Sequence, residues 1–442
     1  MMACDVRVIG AGLAGSEAAW QLAERGFKVE LLEMRPEKMT PAHHTGRPAE
    51  LVCSNSLRSD RLTNAAGLLK EELRELGSLI ISAADETRVP AGSALAVDRE
   101  EFPQMVLSEL ENHENIDYRV AEVQEIPECK PVIVATGPLT SEDLAASIQE
   151  LTGEDHLHFY DAAAPIIDAD TIDYDIVFKA SRYEKGDGDY INCPMDEEQF
   201  MELWEFLLGA ECNLPHDFED EDYFEACLPI EVMARRGRKS LLYGPLKPVG
   251  LTDPRRGERP YAVVQLRQDN RQATLYNMVG FQTRLKWGEQ DRMLSCIPGL
   301  ENAEIVRYGV MHRNTYLNSP RLLTPHYSLR DEERIFFAGQ ITGVEGYVES
   351  TSSGMVAAVN CARLLAGEKP VTFPVETAHG ALAAYVSDER HENLQPMNIN
   401  FGLLPELDEK IDERNERSRK RSKRALRSLM DFRDEHGLAP GH

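Results

Sequence analysis

The sequence predicts an α/β fold in which a parallel sheet is interrupted by an inserted α+β domain and followed by a helical carboxyl-terminal region. Three observations carry this. The chain opens with a strand, a glycine turn, a helix and a second strand. Strands ending in small-residue turns recur at 130–138 and 334–343, and the stretch between them turns to acidic runs and isolated strand-like segments. The expected organisation is a first part of the sheet domain at 1–140, the insertion at 141–330, a second part at 331–370 and the helical region at 371–442.

In the opening unit, Val8 and Ile9 are strand residues, a helix is expected from Leu13 to Arg25, and a second strand ends at Glu33. Gly10 permits the tight turn, Gly12 lets a pyrophosphate approach the backbone, and Gly15 lets the helix lie close to the sheet. The helix amino end offers unpaired amides to phosphate, and Glu33 is placed to accept from a ribose diol. Strand, turn, helix and acid together specify a Rossmann-like dinucleotide site, where a glycine triplet alone is weak evidence.

A chain of 442 residues buries a substantial core in two or three domains. No apolar run is long enough to span a bilayer, and the early core strand leaves no room for a signal peptide. Eight cysteines without a CxxC pair or a cysteine-histidine cluster point to reduced thiols in the cytoplasm and to no metal site. The net charge of -27 disfavours nucleic acid as a partner, although a local basic patch focuses its own field on an acidic body.

After Glu33 the segment from Met34 to Arg61 reads as a loop, with Cys53-Ser54-Asn55-Ser56 at its centre. Helical spacing is expected at Ala66 to Leu76 and at Arg99 to His113, the latter burying Phe102, Val106, Leu107 and Leu110. Short strands are expected at Val89 to Val97, at Ile116 to Ile126 and at 130–138, where Gly137 closes the turn. In the insertion, Asp196 to Leu208 reads as a helix, and Tyr261 to Leu266 and Ala273 to Val279 as strands. The sheet domain resumes at Ile335 and turns at Gly339 and Gln340 before an apolar helix from Ser353 to Leu365. A helix from Ala378 to Val386 precedes a last one from Pro405 to Glu435. That last helix carries the one dense basic stretch, with Arg417, Lys420, Arg421 and Arg424 on it. Phosphate contact and a solvated face paired with acidic neighbours are equal readings of those cations.

The Gly10 turn, Cys53-Ser54-Asn55-Ser56, Ala135-Thr136-Gly137-Pro138, Cys227-Leu228-Pro229-Ile230-Glu231, Phe337-Ala338-Gly339-Gln340 and the segment from Gln395 to Leu403 combine into a specific pattern. It resembles the folate- and FAD-dependent tRNA (uracil-5-)-methyltransferase family, which makes ribothymidine in the T loop, and the resemblance spans nearly all of the chain. It implies an FAD-binding domain of the glutathione-reductase-like type, 5,10-methylenetetrahydrofolate as carbon donor, NADPH or NADH as reductant, and tRNA as acceptor. Neither a membrane nor an obligate protein partner is implied. The cofactor contacts expected are Gly10, Gly12, Gly15, Glu33, Gly137, Gly339 and Gln340.

The resemblance also singles out Cys227 and Cys53. A thiolate adding at C6 of uracil makes C5 nucleophilic, and flavin supplies the electron chemistry. Cys227 is assigned the addition. Cys53 is assigned proton transfer at C5 or protection of the flavin, and the reverse order stays open. Asn55, Arg58, Glu231 and Tyr347 are candidate substrate contacts, each with a plain packing alternative. Two other functions stay open on the sequence, a flavoprotein oxidoreductase acting on a small molecule and a noncatalytic RNA-binding protein.

Overall fold

The computed structural model describes residues 4–128, 130–154, 157–184, 188–213, 228–391 and 394–438. Five parallel strands form the first sheet in the order Ile335–Phe337, Val132–Val134, Val6–Ile9, Val29–Glu33, Ile116–Val120. Both neighbours of Val6–Ile9 run parallel to it, one fed by the first helix and the other by the chain that returns after Ile116–Val120. The strand order therefore reverses at the carboxyl end of Val6–Ile9, where an open α/β sheet leaves its ligand crevice.

The first helix, Leu13–Glu24, packs against helix Tyr347–Leu365. Glycine makes that approach possible. A Cβ on Gly354 would stand 2.2 Å from the Ala14 carbonyl oxygen, well inside contact distance. Helices Ala65–Glu75 and Leu79–Glu86 complete this layer, and its core extends to Phe432 of the last helix, Arg414–His436.

The chain leaves this unit along strand Leu157–Ala162 and returns along Met311–Tyr316, and the two pair antiparallel from Leu157↔Tyr316 to Ala162↔Met311. Between them lies a second sheet of six strands, in the order Phe178–Lys179, Tyr190–Met195, Ala262–Gln268, Leu275–Met278, Ile166–Asp168, Ile305–Arg307, all antiparallel. Helix Glu197–Gly209, closed by an Asp196/Gln199 capping box, buries Phe200, Leu203 and Leu207 in this sheet's own core.

Several boundaries differ from the sequence expectation. The helix expected from Ser353 begins six residues earlier, at Tyr347, because Gly346 at φ 111 turns the chain directly into it. Its first turns contain Ser350, Thr351, Ser352 and Ser353, a polar run that reads as loop yet is wholly buried. The last helix begins at Arg414 rather than near Pro405, with the Glu413 carboxylate accepting from the Asn415 and Glu416 amides. Strand Ile116–Val120 ends six residues short of Ile126, and the Met34 to Arg61 loop contains a short strand, Ser56–Ser59. In helix Glu101–Asn112, Pro103 is buried and Leu107 only half-buried. Cys227 and the acidic run from Asp217 to Glu225 lie outside the described residues.

Glu17 lies fully buried in the first helix, accepting from Ser78 Oγ at 2.6 Å, Ile80 N at 3.1 Å and Gln21 Nε2 at 2.9 Å. Burial outweighs these bonds and pushes its carboxyl up to about 7. Between the ordinary carboxylate value and about pH 7 the unfolded chain has released this proton and the folded chain still holds it. Folding stability from this group is therefore full in acid and is lost as pH rises through that window, by on the order of 3 kcal/mol. In urea titrations across this range, the stability difference between wild type and Glu17→Gln is expected to change by that amount, and a constant difference would contradict it.

Candidate active site

A cavity of about 460 Å³ opens at the carboxyl ends of the first sheet's central strands. Its floor is backbone. Gly10 turns at φ 93, and a Cβ there would meet the Ala135 carbonyl oxygen at 2.7 Å. Gly12 caps the first helix with no side-chain hydrogen bond to its amides, and a Cβ on it would meet no atom within 4 Å. Free space thus faces uncapped amides, the arrangement that takes a phosphate. Gly137 at φ 66 is equally open, and Gly339 at φ 84 sits opposite, its amide donating to Ser353 Oγ at 2.7 Å. These residues fit the pyrophosphate and ring of a bound flavin dinucleotide.

Gly15 lies behind the turn and does not line the cavity. Its Cβ would stand 1.8 Å from the Gly10 carbonyl oxygen, so its role is close packing beneath the loop. Glu33 does line the cavity and holds the turn from the side, accepting from Ala11 N at 2.9 Å. Burial works to raise its carboxyl, but the bonds and charge of Arg35 outweigh it and hold Glu33 below the usual range. Both oxygens already accept from Arg35, so a ribose hydroxyl here shares an engaged carboxylate.

Cys53 and Tyr347 meet on the cavity wall although 294 positions separate them. The phenol oxygen accepts from Cys53 N at 2.9 Å and Ser54 N at 3.3 Å and lies 3.0 Å from Cys53 Sγ. Burial, reinforced by the neighbouring sulfur, keeps this phenol protonated by pushing it well above its ordinary value. Two amides occupy its acceptor side, so its own O–H is the group left to point at sulfur. Sγ is thereby cast as an acceptor.

Arg267 enters the same wall from the second sheet and is buried. Its guanidinium donates to Asn55 Oδ1 at 2.9 Å, Ser54 Oγ at 2.7 Å and Asn277 Oδ1 at 3.2 Å. All three acceptors are neutral, so a buried positive charge stands beside the Cys53 loop without a hydrogen-bonded carboxylate among the described residues. Burial pushes the group below its ordinary value. Arg58, at φ 65, lines the cavity and bonds the fully buried Glu349 at 2.8 Å. Glu349 also accepts from Ile399 N at 2.9 Å, and this fastens the Gln395 to Leu403 segment to the cavity rim.

Of the residues expected to contact ligands, Gly10, Gly12, Glu33, Gly137, Gly339, Gln340, Cys53, Arg58 and Tyr347 share this one cavity. Asn55 lies under it, fully buried, donating to Val97 O and Gln268 O at 2.9 Å each. Truncation to Asn55→Ala should cost about 2–4 kcal/mol of stability, because it takes the partner from the buried Arg267 Nε–H and the side-chain donor from two carbonyls. Denaturant unfolding checks this, and a loss under 0.5 kcal/mol would contradict it. Glu231 is buried in the second core, bonded to Thr283 Oγ1 at 2.9 Å and Arg284 N at 3.1 Å, away from the cavity. On the last helix, Arg417, Arg421 and Arg424 donate to the carbonyls of Ile411, Phe401 and Glu406, and Lys420 pairs with Glu409. They brace the segment before the helix and do not line the cavity.

Sequence reasoning missed Arg267, Gln282, Asn314 and Asn398, all on the cavity wall. Arg267 had a signal. It follows the apolar run Ala262-Val263-Val264, and a charge on a strand that buried calls for a partner; the expected strand stopped one residue short of it, at Leu266.

A family model described as glucose inhibited division protein A matches residues 5–369. The chain belongs to this family. Within it, the methylenetetrahydrofolate--tRNA-(uracil-5-)-methyltransferase TrmFO of Bacillus licheniformis is 60% identical over 427 residues, covering 96% of this chain and 98% of that one. TrmFO of Bacillus subtilis is 62% identical over 409 residues, covering 92% and 94%. The fold also matches the GidA structure from Aquifex aeolicus, with a TM-score of 0.72 at 19% identity over 98% of this chain and 76% of that one. The family's α/β architecture, a Rossmann-like FAD-binding region with additional domains, is the architecture described above.

Proposed function

We propose that this chain transfers the methylene carbon of 5,10-methylenetetrahydrofolate to C5 of a T-loop uridine in tRNA, with reduction through FAD, and so forms 5-methyluridine. The observation that carries this reading is one cavity that unites the dinucleotide glycine turns with the Cys53–Tyr347 pair, in a chain about as long as TrmFO enzymes and about 60% identical to them. When bound, FAD supplies the electron and one-carbon chemistry that no side chain can provide.

The protein's own residues do the rest. Uncapped amides after Gly12 would hold the pyrophosphate, Gly137 would leave room for the cofactor to lie against backbone, and Gly339, whose Cβ position meets Ala14 at 3.1 Å, keeps its turn close to the first helix. Cys53 Sγ, oriented by the Tyr347 O–H, accepts the proton that C5 must lose. Arg267 fixes the loop carrying Cys53 and supplies fixed positive charge where negative charge builds on the pyrimidine. Cys227 is the remaining thiol of the pattern, assigned to addition at C6. The uridine must leave its stacked loop to reach this wall.

A reduced nicotinamide nucleotide, NADH or NADPH, is the electron source in this reading. The glutathione-reductase-like type is the finer fold assignment, supported by the two strand-and-turn units that meet the first helix at the cavity. Action in the cytoplasm fits the six described cysteines, all of them free thiols. No helix among the described residues is long and apolar enough to cross a membrane.

Tritium at C5 of uridine tests the substitution. Incubation of such a tRNA with the FAD-loaded protein, reductant and folate should release tritium to water only when folate is present. Reductant consumption without release would instead favour the small-molecule oxidoreductase.

A further inference from the structure

The last helix was the one basic stretch expected from the sequence, yet residues 235–259 carry eight Lys and Arg against two Asp and Glu, in a chain of net charge -27. The cations begin at the end of helix Ile230–Arg235, continue past Gly237 at φ 113, and run through helix Arg238–Tyr243. Arg235, Arg236, Arg238 and Lys239 are exposed, as are Arg256 and Arg259 further on. Arg235, Lys239 and Arg259 form no ion pair or side-chain hydrogen bond among the described residues, in contrast to the carbonyl-bonded arginines of the last helix. Tyr243, at the end of helix Arg238–Tyr243, has 77% of its surface exposed, the highest of any large apolar or aromatic side chain described.

The helix that opens this stretch starts beside the active-site cavity. Ile230 N donates to the carbonyl of Gln282 at 2.8 Å, and Gln282 lines the cavity. Arg235 lies five residues beyond that bond, about 7.5 Å along the helix axis. On the other side, cavity-lining Arg267 shares its strand with Gln265, which accepts from Arg182, and Arg182 in turn donates to Val249 O at 3.1 Å. A polyanion whose base occupies the cavity would carry its flanking phosphates near the start of the helix that leads to these cations.

We infer that the exposed face around Arg235, Lys239, Tyr243 and Arg259 is the docking surface for the RNA substrate, the cations taking backbone phosphates and Tyr243 stacking on an unpaired base. This rests on the tRNA reading above. Phosphate contacts release counterions and make affinity fall steeply with salt, while an exposed aromatic ring among cations is the usual platform for an unstacked base. Three exposed side chains without partners among the described residues fit this use better than a stabilising one, since surface charges of this kind contribute little to folding.

The test is fluorescence anisotropy of labelled tRNA lacking T-loop methylation, titrated with the full FAD-loaded chain at several salt concentrations. The triple variant Arg235→Gln/Lys239→Gln/Arg259→Gln should bind about 10- to 100-fold more weakly and lower the log–log salt slope by roughly two to three, while keeping the wild-type FAD content. Tyr243→Ala, which alters no charge, should weaken binding by about tenfold with the slope unchanged. Wild-type affinity and slope in both variants would overturn the surface alone. Failure of the wild-type chain to bind tRNA at all would overturn the substrate reading and the surface with it.

Discussion

Tyr347→Phe should lower the rate of 5-methyluridine formation by about 10²–10³-fold while the protein keeps its FAD and its affinity for tRNA. The ring remains, and only the O–H is lost. With it go the O–H aimed at Cys53 Sγ and the acceptor for the amides of Cys53 and Ser54. If Tyr347 serves only as packing, the phenylalanine retains nearly all of that function, so a rate within threefold of wild type would refute the donor role. Cys53→Ser gives the complementary readout, because serine keeps a hydrogen-bonding partner for the phenol but is far less able to hold a negative charge near neutral pH. It should lose activity at least as severely, with release of C5 tritium lost in parallel.

A comparably large effect is expected at Gly15, of a different kind. Gly15→Ala places a methyl group 1.8 Å from the Gly10 carbonyl oxygen, and both clashing groups belong to backbone that no rotamer change can move. The turn must open, at a cost of about 3 kcal/mol, and FAD should be lost together with stability. Gly12→Ala separates the two losses. Gly12 sits at φ -69 with no atom within 4 Å of its Cβ position, so alanine fits the apo fold. The added methyl projects into the space left for the cofactor. That variant should unfold within about 0.5 kcal/mol of wild type and still fail to retain FAD. Normal FAD content in Gly12→Ala would contradict the placement of the pyrophosphate.

The contrast between these glycines explains why the cofactor half of the site was legible. Gly10, Gly12 and Gly15 answer backbone requirements within one turn, and such requirements are local enough to appear as spacing. Elements whose burial is polar were not legible. The run Ser350-Thr351-Ser352-Ser353 looks like a loop by composition, and only packing against the first helix turns it into the buried start of a helix. The last helix left two equal readings open, phosphate contact and a paired solvated face, and Arg417, Arg421 and Arg424 turn out to donate to carbonyls of an irregular segment that has no periodicity to announce it. The wall opposite the glycines was hidden for a third reason. Arg267 and Asn55 are 212 positions apart, and only the return of the second sheet onto the Cys53 loop brings them within 2.9 Å.

The central claim, that this cavity moves a folate carbon onto a tRNA uridine, is tested most directly by following the carbon. Transfer RNA lacking T-loop methylation is incubated with the FAD-loaded chain, reduced nicotinamide nucleotide and methylenetetrahydrofolate carrying isotope in its methylene, and the nucleosides are analysed by mass. Labelled 5-methyluridine is expected, at most one per tRNA, and is expected to be lost in Tyr347→Phe. Reduction of FAD with no label in the RNA would contradict it.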